Sequence, residues 1–367
     1  IRSAYPSITK TEILYANDAI KNGWGPNMNK YSEKFSKYFS KYIGKKFVLN
    51  TSHCTAAIHL ALIALDIKKG DEIIVPDFTW VASASPILYV GAKPVFADID
   101  PKTLCLSAET IKKCITKKTK AVIVVDLYGN MPEWDEIIKL CKKYNIKIIE
   151  DAAESIGTKY IKGKFKNKHT GTVGDFGVLS FNGNKTITTG NGGVILIKDN
   201  YLSKKARYLI TQAKDKNLAF IHDEVGYNFR LSNICAALGV AQLEKINFIL
   251  KKKKKINIFY KKKIIAIKGL SILKSPLNAN NNYWLNIIKV NANLYKKNAR
   301  KLLYILNKNG IQARPIWKPN HQQKPYRSNE KFKINSTINN YKNYICLPSS
   351  ARLSIKELNF ITKILKK

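Results

Sequence analysis

The chain has 367 residues, of which 45% are hydrophobic and 24% charged, a composition typical of globular proteins. This length exceeds the usual size of one domain, so a large domain and a smaller one are expected. No apolar run approaches the roughly 20 residues that span a bilayer, which predicts a soluble protein without membrane contact. The net charge of +39 comes from lysines spread along the whole chain. We interpret it as a compositional bias that attracts an anionic substrate, not as a nucleic-acid-binding face.

The cysteine pattern argues against a metal site and against a disulfide framework. Six cysteines are scattered along the sequence, at Cys54, Cys105, Cys114, Cys141, Cys235 and Cys346. They form neither a C-x-x-C pair nor a His–Cys cluster at the spacing of zinc ligands. Reduced thiols, together with the lack of a signal-peptide pattern after Ile1, predict a cytoplasmic protein.

Short apolar runs alternate with longer helical patterns over the first two thirds of the chain, which predicts a mainly parallel sheet covered by helices. The predicted strands are Glu72–Val75, Pro94–Ala97, Ala121–Asp126, Lys147–Glu150, Gly177–Phe181 and Gly193–Ile197. Thr55–Leu65 is predicted to be a buried helix, and Pro132–Tyr144 an amphipathic helix that begins at proline. We assign residues 1–245 to a large domain and residues 246–367 to a smaller α+β domain.

The pattern changes at Ile246, where a lysine-rich helix is predicted. Within it, the run Lys251–Lys255 is interpreted as a solvated helix face. Further on, Trp284–Val290 is predicted to be a strand and Tyr295–Asn309 a helix closed by a glycine. The segment Asn320–Asn340 is polar and lacks a strand or helix pattern, so we expect a long loop over a site or an interface.

The most informative stretch, residues 148–193, places an acid and a lysine at the ends of predicted strands. Asp151 directly follows an apolar strand, at the edge where open α/β sheets bind ligands. The next predicted strand brings Ser180, Asn182 and Lys185 to the same edge. This arrangement suits pyridoxal phosphate, because a lysine forms a Schiff base with the cofactor and a carboxylate keeps its pyridine nitrogen protonated.

A structural interpretation of these residues has to be weighed against the functional one. One lysine among 64 basic residues is usually a surface charge, and an aspartate after a strand is often a helix cap. Lys185, however, lies in the glycine- and threonine-rich loop N-G-N-K-T-I-T-T-G-N-G-G. A solvated lysine does not require so tightly turned a backbone, which favours the functional interpretation.

Six stretches of the sequence form a distinctive series. They are P-D-F-T-W-V-A-S-A (Pro76–Ala84), G-A-K-P-V-F-A-D-I-D (Gly91–Asp100), E-D-A-A-E-S-I-G (Glu150–Gly157), S-F-N-G-N-K-T-I-T-T-G-N-G-G (Ser180–Gly193), G-Y-N-F-R-L-S-N-I-C-A-A-L-G (Gly226–Gly239) and G-I-Q-A-R-P near the C-terminus. In this order they resemble the DegT/DnrJ/EryC1/StrS family of sugar aminotransferases, over nearly the whole chain. The resemblance implies fold type I of the pyridoxal-phosphate-dependent transferases, the aspartate aminotransferase type. That fold has a mainly parallel seven-stranded sheet flanked by helices.

The resemblance also implies roles for individual residues. Lys185 matches the lysine that holds the cofactor, and Asp151 matches the partner of its pyridine nitrogen. Trp80 matches the aromatic residue that stacks on the cofactor ring, although a core tryptophan is the alternative. Cys54 and Thr55 open a helix whose N–H groups match the phosphate site. The family often has Gly-Thr or Ala-Thr there, but backbone donors do not depend on the side chain.

Four more residues complete the implied cofactor site. Ser180 matches a phosphate-binding hydroxyl, and Asn182 is expected beside it. Glu154 stands where the family often carries Gln or His near the phenolic oxygen of the cofactor, so its carboxyl group must be protonated or compensated. Asn228 matches a residue that reaches the cofactor phosphate of a neighbouring subunit, which implies a homodimer with shared active sites.

Substrate contacts are implied for Trp24, Arg230, Arg314 and His321, which lie in segments with which the family holds a nucleotide sugar. Arginine suits a diphosphate because of its forked donors, but Arg230 and Arg314 are equally compatible with structural salt bridges. His321 is expected on a loop over the site. The motifs are most similar to those of family members that aminate C4 of nucleotide-linked 4-keto-6-deoxyhexoses.

The implied reaction is a transamination in two halves. An amino acid, in this family usually L-glutamate, leaves its amino group on the cofactor as pyridoxamine phosphate, and the keto-sugar then takes that group up. The same framework also serves 3-keto sugars, which remains an alternative. Family members that are dehydratases replace the lysine by histidine, so Lys185 argues against that activity. A non-catalytic cofactor-binding sensor would require the site residues to be vestigial.

Overall fold

The structure is a computed structural model that describes residues 1–214, 221–332 and 334–367. Its helices are α1 (Lys10–Asn22), α2 (Lys30–Ile43), α3 (Cys54–Ala64), α4 (Ser85–Tyr89), α5 (Ala108–Lys112), α6 (Trp134–Lys143), α7 (Asn200–Ile210), α8 (Asn233–Glu244), α9 (Ile246–Ile264), α10 (Ala292–Tyr295), α11 (Ala299–Lys308), α12 (Ser336–Tyr341) and α13 (Ile355–Leu365). Its strands are β1 (Phe47–Thr51), β2 (Glu72–Pro76), β3 (Lys93–Ala97), β4 (Thr119–Val125), β5 (Lys147–Asp151), β6 (Lys159–Tyr160), β7 (Phe176–Ser180), β8 (Gly193–Ile197), β9 (Leu270–Ile272), β10 (Ala279–Asn280), β11 (Asn286–Val290), β12 (Arg314–Pro315), β13 (Lys331–Phe332) and β14 (Tyr344–Leu347).

The larger sheet has, in the described part of the chain, the strand order β1-β8-β7-β5-β4-β2-β3-β13. Strand β8 runs antiparallel to both of its neighbours, and the pairings from β7 through to β13 are parallel. The mainly parallel α/β architecture is therefore confirmed. Seven strands form the expected sheet, and β13 adds an eighth strand of two residues at its edge.

The strands of this sheet are apolar on both faces because helices cover both sides. In β4, Ala121 and Ile123 pack in one buried cluster with residues of α3 and α7. The alternate residues Val122 and Val124 pack in another with Trp134 and other residues of α6. Since successive side chains of a strand point to opposite faces, a continuous apolar run is what a sheet covered on both sides requires. Strand β1 follows the same principle but was not among the predicted strands.

The second sheet has the order β12-β14-β11-β9 and is antiparallel throughout. Buried residues of α9, α11 and α13 pack with it in a separate apolar cluster. Residues 246–367 also contribute to the larger part, since β13 joins its sheet and β10 pairs with β6. Helix α9 contributes Ile246 and Ile249 to an apolar cluster of the larger part, so the two cores meet within this helix and not at the proposed boundary at residue 245.

The predicted elements differ from the observed ones mainly at their ends and in one segment. The predicted helix Tyr295–Asn309 begins only at Ala299, because the side chain of Asn298 caps it by accepting the N–H of Lys301 at 2.8 Å. The expectation of a long loop at Asn320–Asn340 is wrong. Its described residues contain two 3-10 turns, β13 and the start of α12. These elements are too short to produce a periodic pattern.

The interpretation of Lys251–Lys255 as a solvated face is wrong for one residue. Four of these lysines are exposed, but Lys253 is only 4% exposed and its amine lies inside the protein. A single buried lysine cannot be distinguished from its neighbours in a run of five identical residues.

None of the helices in the described residues is long and apolar enough to cross a membrane. The six cysteines are free thiols. Within residues 1–214, 221–332 and 334–367, no three His, Cys, Asp or Glu side chains gather as metal ligands.

A substitution of Gly177 in β7 tests how tightly this sheet is packed. A Cβ atom at this position would overlap the carbonyl oxygen of Gly171, a backbone atom that cannot move aside. We expect Gly177→Ala to lower the free energy of unfolding by about 3 kcal/mol or more, as overpacking does. Chemical unfolding measures this change. Gly183→Ala is the control, since its Cβ would meet no atom closer than 3.8 Å, and equal losses in both variants would contradict the prediction.

Candidate active site

A cavity of about 270 Å³ lies where β5 and β7 end and α3 begins. Nine of the thirteen residues predicted for the site line it: Cys54, Thr55, Trp80, Asp151, Glu154, Ser180, Asn182, Lys185 and Arg314. Segments separated by more than a hundred residues in sequence therefore meet at one place. The structure brings together the acid and the lysine that were expected at this edge of the sheet.

Asp151, the last residue of β5, is buried and held from two sides. One carboxylate oxygen accepts the hydroxyl of Ser83 at 2.7 Å, and the other accepts the N–H of Ala153 at 3.1 Å. Burial raises the pKa of Asp151, while these two hydrogen bonds and the charge of Lys185 act in the opposite direction. The carboxylate is thus oriented by the protein itself.

Lys185 lies in a turn that follows β7, where its N–H donates to the carbonyl oxygen of Asn182 at 2.9 Å. The side chain is only 13% exposed, and Nζ lies 3.9 Å from Oε1 of Glu154. Nζ also lies 4.0 Å from the centre of the Trp284 ring. The amine therefore has a carboxyl group on one side and an aromatic face on another, in a largely enclosed position.

Glu154 is the second buried acid of the cavity. Its Oε2 accepts the backbone N–H of Tyr128 at 2.9 Å. Burial raises the pKa of Glu154 to about 7, although the charge of Lys185 and the Tyr128 hydrogen bond both oppose the rise. Glu154 therefore exchanges its proton near neutral pH, which meets the sequence-based condition that this carboxyl group be protonated or compensated.

The N-terminus of α3 forms the polar end of the cavity. Cys54 and Thr55 are its first residues, and the first N–H groups of a helix have no partner within it, so they suit a phosphate. The hydroxyl of Ser180 comes to the same place, because Ser180 pairs with Gly193 and Gly193 lies against this helix start. Burial raises the pKa of the Cys54 thiol well above its usual value, so Cys54 is a neutral side chain rather than a nucleophile.

An aromatic wall encloses the cavity on the side of Lys185. The rings of Trp80 and Trp317 lie 5.0 Å apart, and Tyr128 stacks on Trp284 at 6.3 Å. Trp80 remains 54% exposed, so a planar molecule can reach its ring. Sequence reasoning missed Trp284 and Trp317, as well as Ser83. Trp317 lies three residues after Arg314, a predicted substrate-binding residue. This short separation in sequence was the signal that could have placed Trp317 near the site.

Four predicted site residues do not line this cavity. Trp24, Asn228 and Arg230 line a different, open cavity of about 870 Å³ and are exposed. His321 contacts Asp77, which follows β2. Its N–H donates to Oδ1 at 2.8 Å, and its Nδ1 lies 2.7 Å from Oδ2. Within one chain, the predicted site is therefore divided into two groups of residues and a histidine that binds a buried aspartate.

Comparison with known proteins identifies the family of the chain. Residues 6–366 match the DegT/DnrJ/EryC1/StrS aminotransferase family. The chain is 36% identical to a putative pyridoxal phosphate-dependent aminotransferase of Bacillus subtilis, over 98% of this chain and 93% of that protein. It is 37% identical to the GDP-perosamine synthase of Vibrio cholerae, over 86% of this chain and 84% of the other.

Solved structures show the same relationship. An aminotransferase of Helicobacter pylori involved in the biosynthesis of pseudoaminic acid superimposes with a TM-score of 0.91 at 26% identity, over 99% of this chain and 97% of that one. A putative sugar aminotransferase of Streptococcus pneumoniae in its PLP form gives 0.90 at 26% identity, over 100% and 97%. Fold and site thus define an aminotransferase. The chain belongs to the DegT/DnrJ/EryC1/StrS aminotransferase family.

The raised pKa of Glu154 makes a prediction about stability. An acid whose pKa is raised in the folded state stabilises the fold at low pH and loses this contribution as the pH rises through the folded-state value. We therefore expect cofactor-free Glu154→Gln to gain unfolding free energy relative to the unaltered protein between pH 5 and pH 8, by up to about 3 kcal/mol. Urea unfolding across this range measures the difference. The exposed variant Glu136→Gln is the control, and parallel curves for both variants would contradict the assignment.

Proposed function

We propose that this aminotransferase transfers an amino group from L-glutamate to the C4 ketone of a nucleotide-linked 4-keto-6-deoxyhexose, with pyridoxal phosphate as cofactor. The observation that carries the proposal is the position of the Lys185 amine beside Asp151 and Glu154, at the carboxyl ends of parallel strands. The similarity to a GDP-perosamine synthase supports a nucleotide-linked sugar as the acceptor. The motif resemblance supports C4 as the carbon that receives nitrogen.

The residues of the cavity fit pyridoxal phosphate. The free N–H groups at the start of α3 and the hydroxyl of Ser180 would hold the phosphate. The exposed face of Trp80 would stack on the ring. The oriented carboxylate of Asp151 would face the ring nitrogen, and the amine of Lys185 would hold the aldehyde carbon. The phosphate, the ring nitrogen and the aldehyde of the cofactor would thus each have a partner of matching chemistry.

When bound, pyridoxal phosphate supplies an aldehyde that takes up the amino group and a ring that accepts electrons from the substrate carbon. Lys185 would move the protons: its amine would take one from the α-carbon of the amino donor and pass it to the former aldehyde carbon, and in the second half it would carry a proton from that carbon to the sugar carbon that has received nitrogen. Asp151 keeps the ring nitrogen protonated by remaining anionic. The aromatic wall excludes water from the Lys185 amine, which favours proton transfer over hydrolysis.

Visible absorbance tests this function directly. Protein loaded with pyridoxal phosphate should show the absorption band of the attached cofactor, lose it on addition of L-glutamate, and regain it with a nucleotide-linked 4-keto-6-deoxyhexose. If only a 3-keto sugar restores the absorption band, the amino group is transferred to C3. Failure to take up the cofactor, or a band that no amino donor changes, would refute the proposal in favour of a sensor or a binding protein.

Lys185→Ala should abolish the transfer. Because Lys185 is assigned both cofactor attachment and proton transfer, we expect the rate to fall by about 10⁴-fold or more. The measurement is the rate of amino-sugar formation under saturating substrates, read by mass spectrometry. Lys198→Ala is the matched control, since Lys198 is an exposed lysine in the same part of the fold. A Lys185→Ala protein that retained a tenth of the rate would exclude the assigned role.

We also propose that two copies of the chain complete each active site. Asn228 and Arg230 do not line the cavity that contains Lys185, but they are exposed on a second open cavity together with Trp24. This position leaves them available to the cofactor phosphate and the nucleotide sugar of a neighbouring subunit. The motif resemblance supports the same arrangement, because it assigns Asn228 to the neighbour's phosphate.

Mixed dimers test the shared site. We expect Lys185→Ala and Asn228→Ala proteins to be nearly inactive alone, yet to regain activity when they are unfolded, mixed and refolded together. Half of all the dimers formed at random contain both variants, and each of these has one intact site of two, so about a quarter of the activity should return. Lys185→Ala mixed with Asp151→Asn is the control, since both changes affect the same cavity. Equal recovery in both mixtures would contradict a shared site.

A further inference from the structure

Lys253 is a buried amine at the junction between the two cores. Helix α9 carries Ile246 and Ile249 in the apolar cluster shared with α2 and α8, and Ile256 and Tyr260 in the cluster of the second sheet. Lys253 lies between these two groups and is 4% exposed. The helix thus passes from one core to the other at this residue.

The amine of Lys253 binds two backbone carbonyl groups. Nζ donates to the carbonyl oxygen of Trp284 at 3.1 Å and to that of Ser349 at 2.8 Å. No carboxylate forms an ion pair with it among residues 1–214, 221–332 and 334–367. Burial lowers the pKa of Lys253 to about 7, which reflects the cost of placing an amine there. An apolar side chain of the same length would avoid this cost, so the two hydrogen bonds are what the amine adds.

Neighbouring polar residues extend this junction. Asn257, one turn further along α9, donates from Nδ2 to Oδ1 of Asn286 at 2.8 Å. The hydroxyl oxygen of Ser349 accepts the N–H of Asn286 at 2.8 Å. Helix α9 is therefore hydrogen-bonded both to the start of β11 and to the segment that follows β14. The carbonyl of Trp284 lies two residues before β11, at the edge of this network.

Trp284 connects the junction to the active site. Its ring lies 4.0 Å from Nζ of Lys185, and its Nε1 donates to the carbonyl oxygen of Asn184 at 2.8 Å. Its backbone N–H donates to Oδ1 of Asn282 at 3.0 Å. The indole of Trp284 is thus hydrogen-bonded to the loop that carries Lys185. The backbone carbonyl group of Trp284 is hydrogen-bonded to Lys253 of α9.

We propose that Lys253 is a positioning residue that holds Trp284, and through its indole the amine of Lys185, in the geometry that cofactor attachment needs. The inference rests on the proposed role of Lys185. It gives one lysine of the run Lys251–Lys255 a role in positioning active-site groups, although this residue touches neither the cofactor nor the substrate. A displacement of about 1 Å at a reacting group can lower a rate up to a hundredfold. A fixed position of the Trp284 indole, which contacts the Lys185 amine, is therefore expected to affect the rate of cofactor attachment.

Three variants on α9 test the proposal. Lys253→Met keeps the length of the side chain without its donors, Lys253→Arg keeps donors, and Lys255→Met removes an exposed positive charge from the same helix. Cofactor attachment is measured by adding pyridoxal phosphate, reducing with borohydride at set times and quantifying the labelled Lys185 peptide by mass spectrometry. Near-ultraviolet circular dichroism of the cofactor-free protein reports the packing of the tryptophans.

We expect Lys253→Met to slow labelling of Lys185 by about tenfold and to change the tryptophan signal. Lys253→Arg should restore both at least in part, and Lys255→Met should match the unaltered protein. A Lys253→Met protein that only melts at a lower temperature, with normal labelling and a normal tryptophan signal, would overturn the proposal. So would Lys253→Arg and Lys253→Met proteins that behave alike.

Trp284→Phe supplies the second measurement, because it changes the ring and keeps the carbonyl group. If Lys253 acts through this ring, Trp284→Phe slows labelling as well, and the double variant with Lys253→Met is slowed by less than the product of the two single effects. Independent effects would overturn the proposal. If Lys253→Met does not fold, Lys253→Leu, which also lacks donors, takes its place in the same comparison. Should the unaltered protein not attach the cofactor at all, the proposed function fails, and the tryptophan signal of the Lys253 variants still decides whether Lys253 holds Trp284.

Discussion

The parallel pairing of β5 with its neighbours β4 and β7 is the constraint from which the site follows. Asp151 stands opposite Val125 on one side and Val178 on the other, so three strands end at the same edge. A slip of one residue would turn the side chains of β5 to the opposite faces and bring Glu150, in place of Asp151, toward the cavity. Glu150, which points the other way, accepts the N–H groups of Gly171 and Val173 at 2.7 Å. One dipeptide thus orients a carboxylate toward the cavity and fixes the segment that leads into β7.

Sequence reasoning placed residues together where their position depends on the end of a strand. Asp151 and Lys185 could be found because a buried strand is an apolar run and its end is visible in the sequence. Trp284 and Trp317 could not, because they reach the cavity from the second core and no local pattern records that contact. Lys253 was misinterpreted for a related reason, since its burial depends on the packing of β11 and β14 against α9.

The electrostatics of the cavity contrast with those of the chain. The protein carries an excess of 39 positive charges, yet in the cavity two acids, Asp151 and Glu154, stand beside two cations, Lys185 and Arg314, among the described residues. The overall charge acts at long range and raises the local concentration of an anionic nucleotide. The buried acids act over a few ångströms and determine protonation states. The overall charge therefore does not predict the protonation states in the site. The charges in the site, in turn, do not determine how a substrate first approaches the protein.

The two-residue strand β13 covers the end of β3, at an edge of the larger sheet that would otherwise be unpaired. It pairs with Phe96 and Ala97 of β3, and the N–H of Phe96 donates to the carbonyl oxygen of Glu330 at 3.0 Å. Unpaired sheet edges can bind the edges of other chains, which leads to aggregation. During synthesis on the ribosome β3 is made long before β13, so this edge of β3 stays unpaired in the interval between them. A chain that ends before residue 331 therefore keeps this edge of β3 unpaired, where a strand of another chain can pair with it.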